Sequence, residues 1–299
     1  MKKKDSKKKH PILRGCLGLF LVVIIAFVAF ILWPMSGDES IILSDSFDNN
    51  DNNWPLGNYG TIENGQLILS EGDISVIPAD LQLKNGRISV NLSYISGNKE
   101  SVYGLFFREI DEEQYNFFLI SSNSSFMARL KGKEESFYNT NGFIKSDAPN
   151  VLTIELYERL IRVYINETLI VESYTDNPGR GTISLYSSGE STVAFDNLEI
   201  IDFDKRDSNI TGSVNIEGDT LGGAEVIAWQ VIEPKTLGVI EIARTLSDDS
   251  GDYSFYLPED SSYFIESGTP DTKYSGDRYT DLQIPDSGHD LDITIREVK

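Results

Sequence analysis

Short runs rich in β-branched and aromatic residues return about every ten positions along the middle of the chain, the strongest single constraint on its fold. The clearest are "ILSDSF", "QLILS", "RISVNLSYIS", "SVYGLFFR", "YNFFLIS", "SFMARLKG", "VLTIELYE", "IRVYI", "TLIVESY", "TISLYSS" and "VAFDNLEII". Between them stand "ENG", "KNG", "NPGRG" and "SSGE", whose residues supply positive φ or bond their own backbone. No convincing amphipathic helix follows residue 40. Many short strands at even spacing pack as two stacked antiparallel sheets. The fold class expected is all-β, and a jelly roll holds this many strands.

Near "DFDKRDSN" the pattern breaks into a charged stretch, and a shorter β series follows: "ITGSVNI", "AEVIAWQVI", "IEIARTL", "DYSFYLP", "SYFIES" and "DLDITIREV". The expected organisation is therefore a jelly-roll sandwich over 34–203, a linker at 204–208 and a smaller sandwich over 209–299. Strand counts of this size predict that each sandwich has its own core.

Ahead of these lies a different kind of segment. Residues 1–14, "MKKKDSKKKHPILR", form a basic tail, and residues 15–33, "GCLGLFLVVIIAFVAFILW", carry no charge. At 1.5 Å per residue the second run spans roughly 28 Å, close to the thickness of a bilayer's hydrocarbon core. Its length exceeds a signal-peptide core, and no small-residue cleavage site follows in "PMSGDES". One N-terminal transmembrane helix is expected. The basic flank places the N-terminus in the cytoplasm and the C-terminal domains outside the cell. Cys16 is the only cysteine, so no disulfide can form within one chain.

The chain carries a net charge of −21. The tail holds seven basic residues and one acid, so the rest is more acidic still, at −27. Such a surface repels phosphate backbones, which excludes nucleic acid as a partner. It also makes neutral glycans better ligands than acidic ones.

Two resemblances add to this. Residues 44–201 resemble the concanavalin-A-like lectin/glucanase group, which includes laminin-G-like jelly rolls. The residues carrying it are "DSFDNNDNNWPLG", "YGLFFREIDEEQYNFFLIS", "IRVYINETLI" and "GRGTISLY" with "VAFDNLEI". Residues 209–297 are similar to carboxypeptidase-regulatory, transthyretin-like domains through "ITGSV", "GGAEVIAW" and "SDDSGDYSFYLP". The resemblances imply an immunoglobulin/transthyretin-like second sandwich that serves as a stalk or contact module. They also imply a sugar-related role for the first.

Glu109, Asp111 and Glu113 stand at alternate positions, a spacing similar to that of catalytic carboxylates in laminarinase-type glycoside hydrolases. Strand alternation would put all three on one face. Yet "EIDEEQ" is a polar interval between two apolar runs, which reads as an exposed hairpin loop. Exposed carboxylates make poor general acids, and the expectation is a turn rather than an active site. The two histidines, His10 and His289, fall in the tail and the last loop. No Ser-His-Asp or Cys-His set can then be built in the first sandwich.

The resembled jelly rolls often hold calcium between their first and last strands, and Asp48 and Asp196 match those places. Calcium needs six to eight oxygens. The same "DSFDNNDNN" also reads as an Asx-rich turn leading into Trp54.

A ligand-binding surface is the remaining option. Alternation along the central hairpin puts Arg108, Phe106 and Gly104 on one side and Phe107, Leu105 and Tyr103 on the other. With Arg108 opposite Tyr115, one face presents Arg108, Tyr115 and Phe117, and Tyr94 and Tyr138 are further candidates. Aromatic rings beside a hydrogen-bonding cation suit glycan or cell-wall polysaccharide. The expected function is non-catalytic recognition of such a polymer, against the alternatives of a sugar-processing enzyme and a structural envelope protein without a ligand.

Overall fold

The computed structural model describes residues 40–70, 74–76, 81–130, 134–135, 142–176, 178–216, 218–231, 238–268, 274–283 and 289–297. The basic tail, the expected transmembrane helix and Tyr138 lie outside the described residues. In chain order the strands are β1 (Ile41–Asp45), β2 (Gly60–Glu63), β3 (Gln66–Ser70), β4 (Ile74–Val76), β5 (Gln82–Leu83), β6 (Gly86–Gly97), β7 (Val102–Glu109) and β8 (Asn116–Ser121). There follow β9 (Phe126–Arg129), β10 (Glu134–Glu135), β11 (Asn150–Tyr157), β12 (Leu160–Ile165), β13 (Thr168–Tyr174), β14 (Gly181–Ser187) and β15 (Ser191–Asp202). After a short 3-10 turn, Phe203–Lys205, come β16 (Ile210–Ile216), β17 (Asp219–Thr220), β18 (Glu225–Val231), β19 (Val239–Leu246) and β20 (Asp252–Phe255). The last are β21 (Ser262–Gly268), β22 (Tyr274–Gln283), β23 (His289–Asp290) and β24 (Ile293–Glu297).

The first fifteen strands make two antiparallel sheets. One runs β13-β12-β11-β6-β15-β3-β2 with β1 also on β15; the other runs β10-β9-β8-β7-β14-β4 with β5 also on β14. The hairpins follow local chemistry. Asn64 and Gly65, both at positive φ, join β2 to β3, the combination a tight two-residue hairpin needs.

Alternation decides which side chains meet between the sheets. Ile88, Val90 and Leu92 of β6, Leu152, Ile154 and Leu156 of β11, and Leu67 and Leu69 of β3 face inward from one sheet. Tyr103, Leu105 and Phe107 of β7, with Phe118 and Ile120 of β8, meet them from the other. In β15 the inward set changes parity, from Val193 and Phe195 to Leu198 and Ile200. Asn197, at φ 48°, is the cause: it sits in a bulge that inserts one residue between two inward sets. At about 25 cal/mol per Å2 of apolar area, this core is the main stabilising term. The described residues are thus all-β apart from the short 3-10 turn, with a two-sheet sandwich over residues 41–202 of the kind the first resemblance implies.

The later strands share one hydrogen-bonded path, β17-β16-β24-β22-β21-β18-β19. Strand β16 changes partners along its length: Ile210–Ser213 pair with β20, with β23 parallel beside Ile210 and Thr211, and Val214–Ile216 run parallel to β24, with β17 beside Asn215 and Ile216. One strand divided between two layers builds the corner of a small sandwich. The apolar cluster there takes in Val226, Ala228, Ile242, Tyr263 and Ile265, and also Tyr157, Leu160, Ile201 and Phe203 from the first sandwich.

Candidate functional site

The register of the central hairpin is Phe106 opposite Phe117 and Phe107 opposite Asn116. Continued by one step, it sets Arg108 against Tyr115, as the sequence suggests. The side chain of Arg108 nonetheless leaves that face. Its backbone turns to φ 48°, and the pairing with β14 slips between Ser184–Phe106 and Thr182–Glu109. A bulge therefore points Arg108 inward, where it is 1% exposed. Its Nε and Nη2 donate to the carbonyl of Lys84, at 2.9 and 2.6 Å. Burial lowers its pKa to about 10, against the upward pull of Glu158 and Asp204.

Around Arg108 lies a structural network. Lys84 pairs with Glu158 at 2.7 Å. Asn85 donates to Glu158 and Asp204 at 2.9 and 2.8 Å, and Arg180 donates to Asp204 at 2.7 Å. The expectation of Arg108 as a surface ligand-binding group is corrected: it ties the β5–β6 turn to the sandwich interior.

The bulge has a second effect. It returns Glu109 to the face that Arg108 vacates, opposite Thr182 of β14. Gly181 makes room for this: a Cβ there would stand 2.5 Å from Arg108 C and 2.6 Å from Glu109 N. Burial raises the Glu109 carboxyl above its ordinary value, with the Thr182 hydroxyl pulling the other way. The turn expected at 109–113 holds for only part of that stretch. Asp111 Oδ1 accepts from the backbone N–H groups of Glu113 and Gln114, and its Oδ2 accepts from the Gln114 amide. Asp111 and Glu113 are exposed loop residues, whereas Glu109 is a half-buried strand residue.

Along the outward face of this sheet the aromatic side chains touch. Phe106 lies 5.0 Å from Tyr186, 5.3 Å from Phe117 and 5.6 Å from Tyr115 between ring centroids. The Arg129 guanidinium stands 4.1 Å over the Tyr115 ring and donates from Nη2 to the carbonyl of Glu113 at 3.0 Å. Down β14 the same face carries Thr182, Ser184 and Tyr186; on β7 it carries Glu109, Phe106 and Gly104. A Cβ on Gly104 would stand 2.4 Å from the carbonyl oxygen of Phe118, so the neighbouring backbone leaves no room for a side chain there.

Of the sequence candidates, Tyr115 is thus on this strip. Tyr94 is not brought to it. It lies on β6 in the other sheet, packs partly against the first core, and donates its hydroxyl to the Gly97 carbonyl at 2.6 Å. The residues sequence reasoning missed, Thr182, Ser184, Tyr186 and Arg129, were accessible through the same alternation in "TISLYS" and "FMAR".

The acidic first turn is built from its own bonds. Asp45 accepts from Phe47 N at 2.7 Å, Asn52 Nδ2 at 2.7 Å and Trp54 Nε1 at 2.7 Å. Asp48 is exposed and accepts from the Ser46 hydroxyl at 2.9 Å, while Asp196 is half-buried on β15 opposite Asn91. Among the described residues no group of three or more acidic, His or Cys side chains could hold a metal ion.

No protein-family model matches the chain, and no curated protein matches it. Several solved structures are similar over about half of it. Carbohydrate-binding module CBM66 from Bacillus subtilis is 14% identical, with a TM-score of 0.40 over 48% of this chain and 92% of that one. A Bacillus subtilis protein of unknown function with a galectin-like fold is 13% identical, with a TM-score of 0.43 over 55% of this chain and 96% of that one. The endo-β-1,3-glucanase of Pyrococcus furiosus is 11% identical, with a TM-score of 0.44 over 54% of this chain and 94% of that one. Binding modules and hydrolases stand together among these structures, so the likeness does not separate recognition from catalysis.

Proposed function

We propose that the first sandwich, residues 34–203, recognises a neutral glycan or cell-wall polysaccharide without cleaving it. In this reading an uncleaved anchor at 15–33 holds the protein in the cell membrane, and both sandwiches face the exterior. The second, a carboxypeptidase-regulatory-like module over 209–299 joined by the linker at 204–208, acts as spacer or second contact.

The observation that carries the reading is the contiguous strip of Tyr186, Phe106, Phe117 and Tyr115, with Arg129 over its end. Aromatic side chains usually fill the core, and the inward face of the same sheet has its own, Tyr103, Phe107 and Phe118. An aromatic strip on the outward face is what sugar rings stack upon, and the acidic surface favours a neutral polymer. Shallow sites of a few aromatic and polar groups give single-site affinities of roughly millimolar to micromolar.

Titration of the purified full-length chain against neutral polysaccharides tests the proposal. Tyr115→Ala or Phe106→Ala should weaken binding by about 1–3 kcal/mol. Failure of the wild type to bind any neutral glycan would sink it.

A second reading, a glycoside hydrolase, has one observation in its favour: Glu109 is half-buried on this face with its pKa raised. A retaining enzyme needs a partner carboxyl about 5–5.5 Å away. Asp111 is committed to its own loop and Glu113 is exposed. Release of reducing ends from a polysaccharide that the wild type binds, abolished in Glu109→Gln, would favour the enzyme.

A further inference from the structure

A cleft of about 240 Å3 opens where the two sandwiches meet. The first sandwich gives Lys84 and Glu158 to its wall, the crossover gives Phe203 and Ser208, and the second gives Ser254 and Tyr256. Ligand pockets gather at junctions of this kind. The side chains of Lys84 and Glu158 are 35% and 21% exposed, so solvent, and a ligand, can touch them.

The walls are held from behind. Asn85, 7% exposed, donates from Nδ2 to Glu158 Oε1 at 2.9 Å and accepts the Glu158 backbone N–H at 2.6 Å. Glu158 sits at φ 45°, a conformation that costs a residue with a Cβ and persists where its surroundings enforce it. Arg108 fixes the other side, since its Nε and Nη2 both donate to the Lys84 carbonyl. Polar groups fixed in advance spare a ligand the cost of ordering them.

Hydrogen-bonding capacity is left over in the cleft. Lys84 Nζ and Asn85 Nδ2 both bond Glu158 Oε1, while Oε2 accepts from no described residue. Lys84 Nζ spends one of its three protons on that bond. The Tyr256 hydroxyl accepts from Arg206 Nη1 at 3.3 Å and keeps its own proton to give. The hydroxyls of Ser208 and Ser254 bond no described residue.

Charge, by contrast, is matched within the protein. Lys84 has Glu158 at 2.7 Å, Asp204 has Arg180 at 2.7 Å, and Arg244 has Glu241 at 2.7 Å. A net charge on a ligand finds no unmet partner in these groups. Several hydroxyls do, because they can donate to Glu158 Oε2 and accept from Lys84 and Tyr256. At about 240 Å3 the space is smaller than the roughly 300–1,000 Å3 of sites for drug-sized ligands, which fits one ring and not a chain.

We propose that the junction cleft is a second ligand site, which takes one neutral monosaccharide ring through Glu158 Oε2, Lys84 Nζ and the Tyr256 hydroxyl. No residue of the aromatic strip lines it, and the inference stands apart from the reading of that strip. A ring bound there touches both sandwiches and ties them together.

The experiment titrates the full-length chain with free glucose, galactose, mannose, xylose and N-acetylglucosamine by ligand-observed NMR. At least one should bind, and the tightest should raise the unfolding temperature. Ser254→Trp, which sets a large ring at the cleft from an exposed position, should abolish that binding. Glu158→Gln should weaken it at least about tenfold, the scale of one hydrogen bond to a charged group. Tyr256→Phe keeps the ring against Phe203 and should weaken it severalfold. Urea midpoints of the variants keep loss of folding apart from loss of binding. Unchanged affinity in all three variants overturns the inference, as does a wild type that binds none of these sugars. Binding that Phe106→Ala abolishes and Ser254→Trp spares would put the ring on the aromatic strip and overturn it too. A chain that binds the monosaccharide in the cleft but no polysaccharide would sink the strip reading and leave this one standing.

Discussion

The two apolar cores of the molecule are built on different terms. The first draws all its residues, from Phe47 to Ile200, from the strands and loops of its own sandwich. The second is completed by Tyr157, Leu160, Ile201 and Phe203, which belong by sequence to its neighbour. Polar groups reinforce the junction: Arg162, 5% exposed, pairs with Glu172 at 2.9 Å and with Asp260 across the divide at 2.7 Å. The N–H of Arg159 donates to the carbonyl of Ile242, and Phe203 meets Tyr256 at 4.7 Å between rings. A charged linker at 204–208 separates the backbones without separating the cores. A break in composition marks where the chain crosses over, while side chains decide what is shared.

The largest test of this contrast is to divide the chain. A fragment of residues 207–299 should lose cooperative unfolding, because a small core deprived of four large side chains exposes its apolar floor. Residues 40–206 should keep a single sharp transition. Independent two-state unfolding of 207–299 at the full-length midpoint would break the comparison.

Within the full chain, Phe203→Ala should cost about 3–5 kcal/mol, the range for a buried aromatic, and Phe118→Ala a similar amount. In urea unfolding, Phe203→Ala should destabilise the second sandwich first, which Phe118→Ala should not. Arg162→Met comes next, at about 1–2 kcal/mol. Breaking a buried pair costs more, but Asp260 remains largely hydrated and recovers part of the loss. A Met variant as stable as the wild type would show that packing alone holds the junction.

The smallest effect concerns pH. Glu109 has its folded pKa above the unfolded value, so the folded state binds more protons through that window. Its contribution is full below the ordinary glutamate value and is lost as pH rises through the raised one. Glu109→Gln should remove that part of the pH dependence, read from urea midpoints across mildly acidic pH. An unchanged slope would assign the dependence to other groups.

Much of this architecture was legible in the runs and their punctuation: "QLILS", "RISVNLSYIS" and "VLTIELYE" are strands with the expected alternate residues inward. What period-two reading could not see was where the period breaks. Arg108 carries no turn residue type, yet its positive φ sends its guanidinium into the interior and brings Glu109 to the outward face. At Asn197 the same kind of break was at least hinted by an asparagine, a residue that tolerates positive φ. The shared second core was hidden for another reason. Tyr157 and Leu160 look like ordinary strand residues, and only the tertiary arrangement assigns them to the neighbour's cluster.

Strand β15 sets an order on how the first sandwich can be made. It lies between β6 and β3 and also carries β1, so β1, β2 and β3 join the rest of their sheet only through it. As the chain leaves the ribosome, those early strands must wait for residues 191–202 before they have a sheet to enter. Contacts so distant along the chain are slow to form, and unpaired strand edges are open to misassociation meanwhile. Until residues 191–202 are free to pair, the sheet stays unfinished; once they are, it can close.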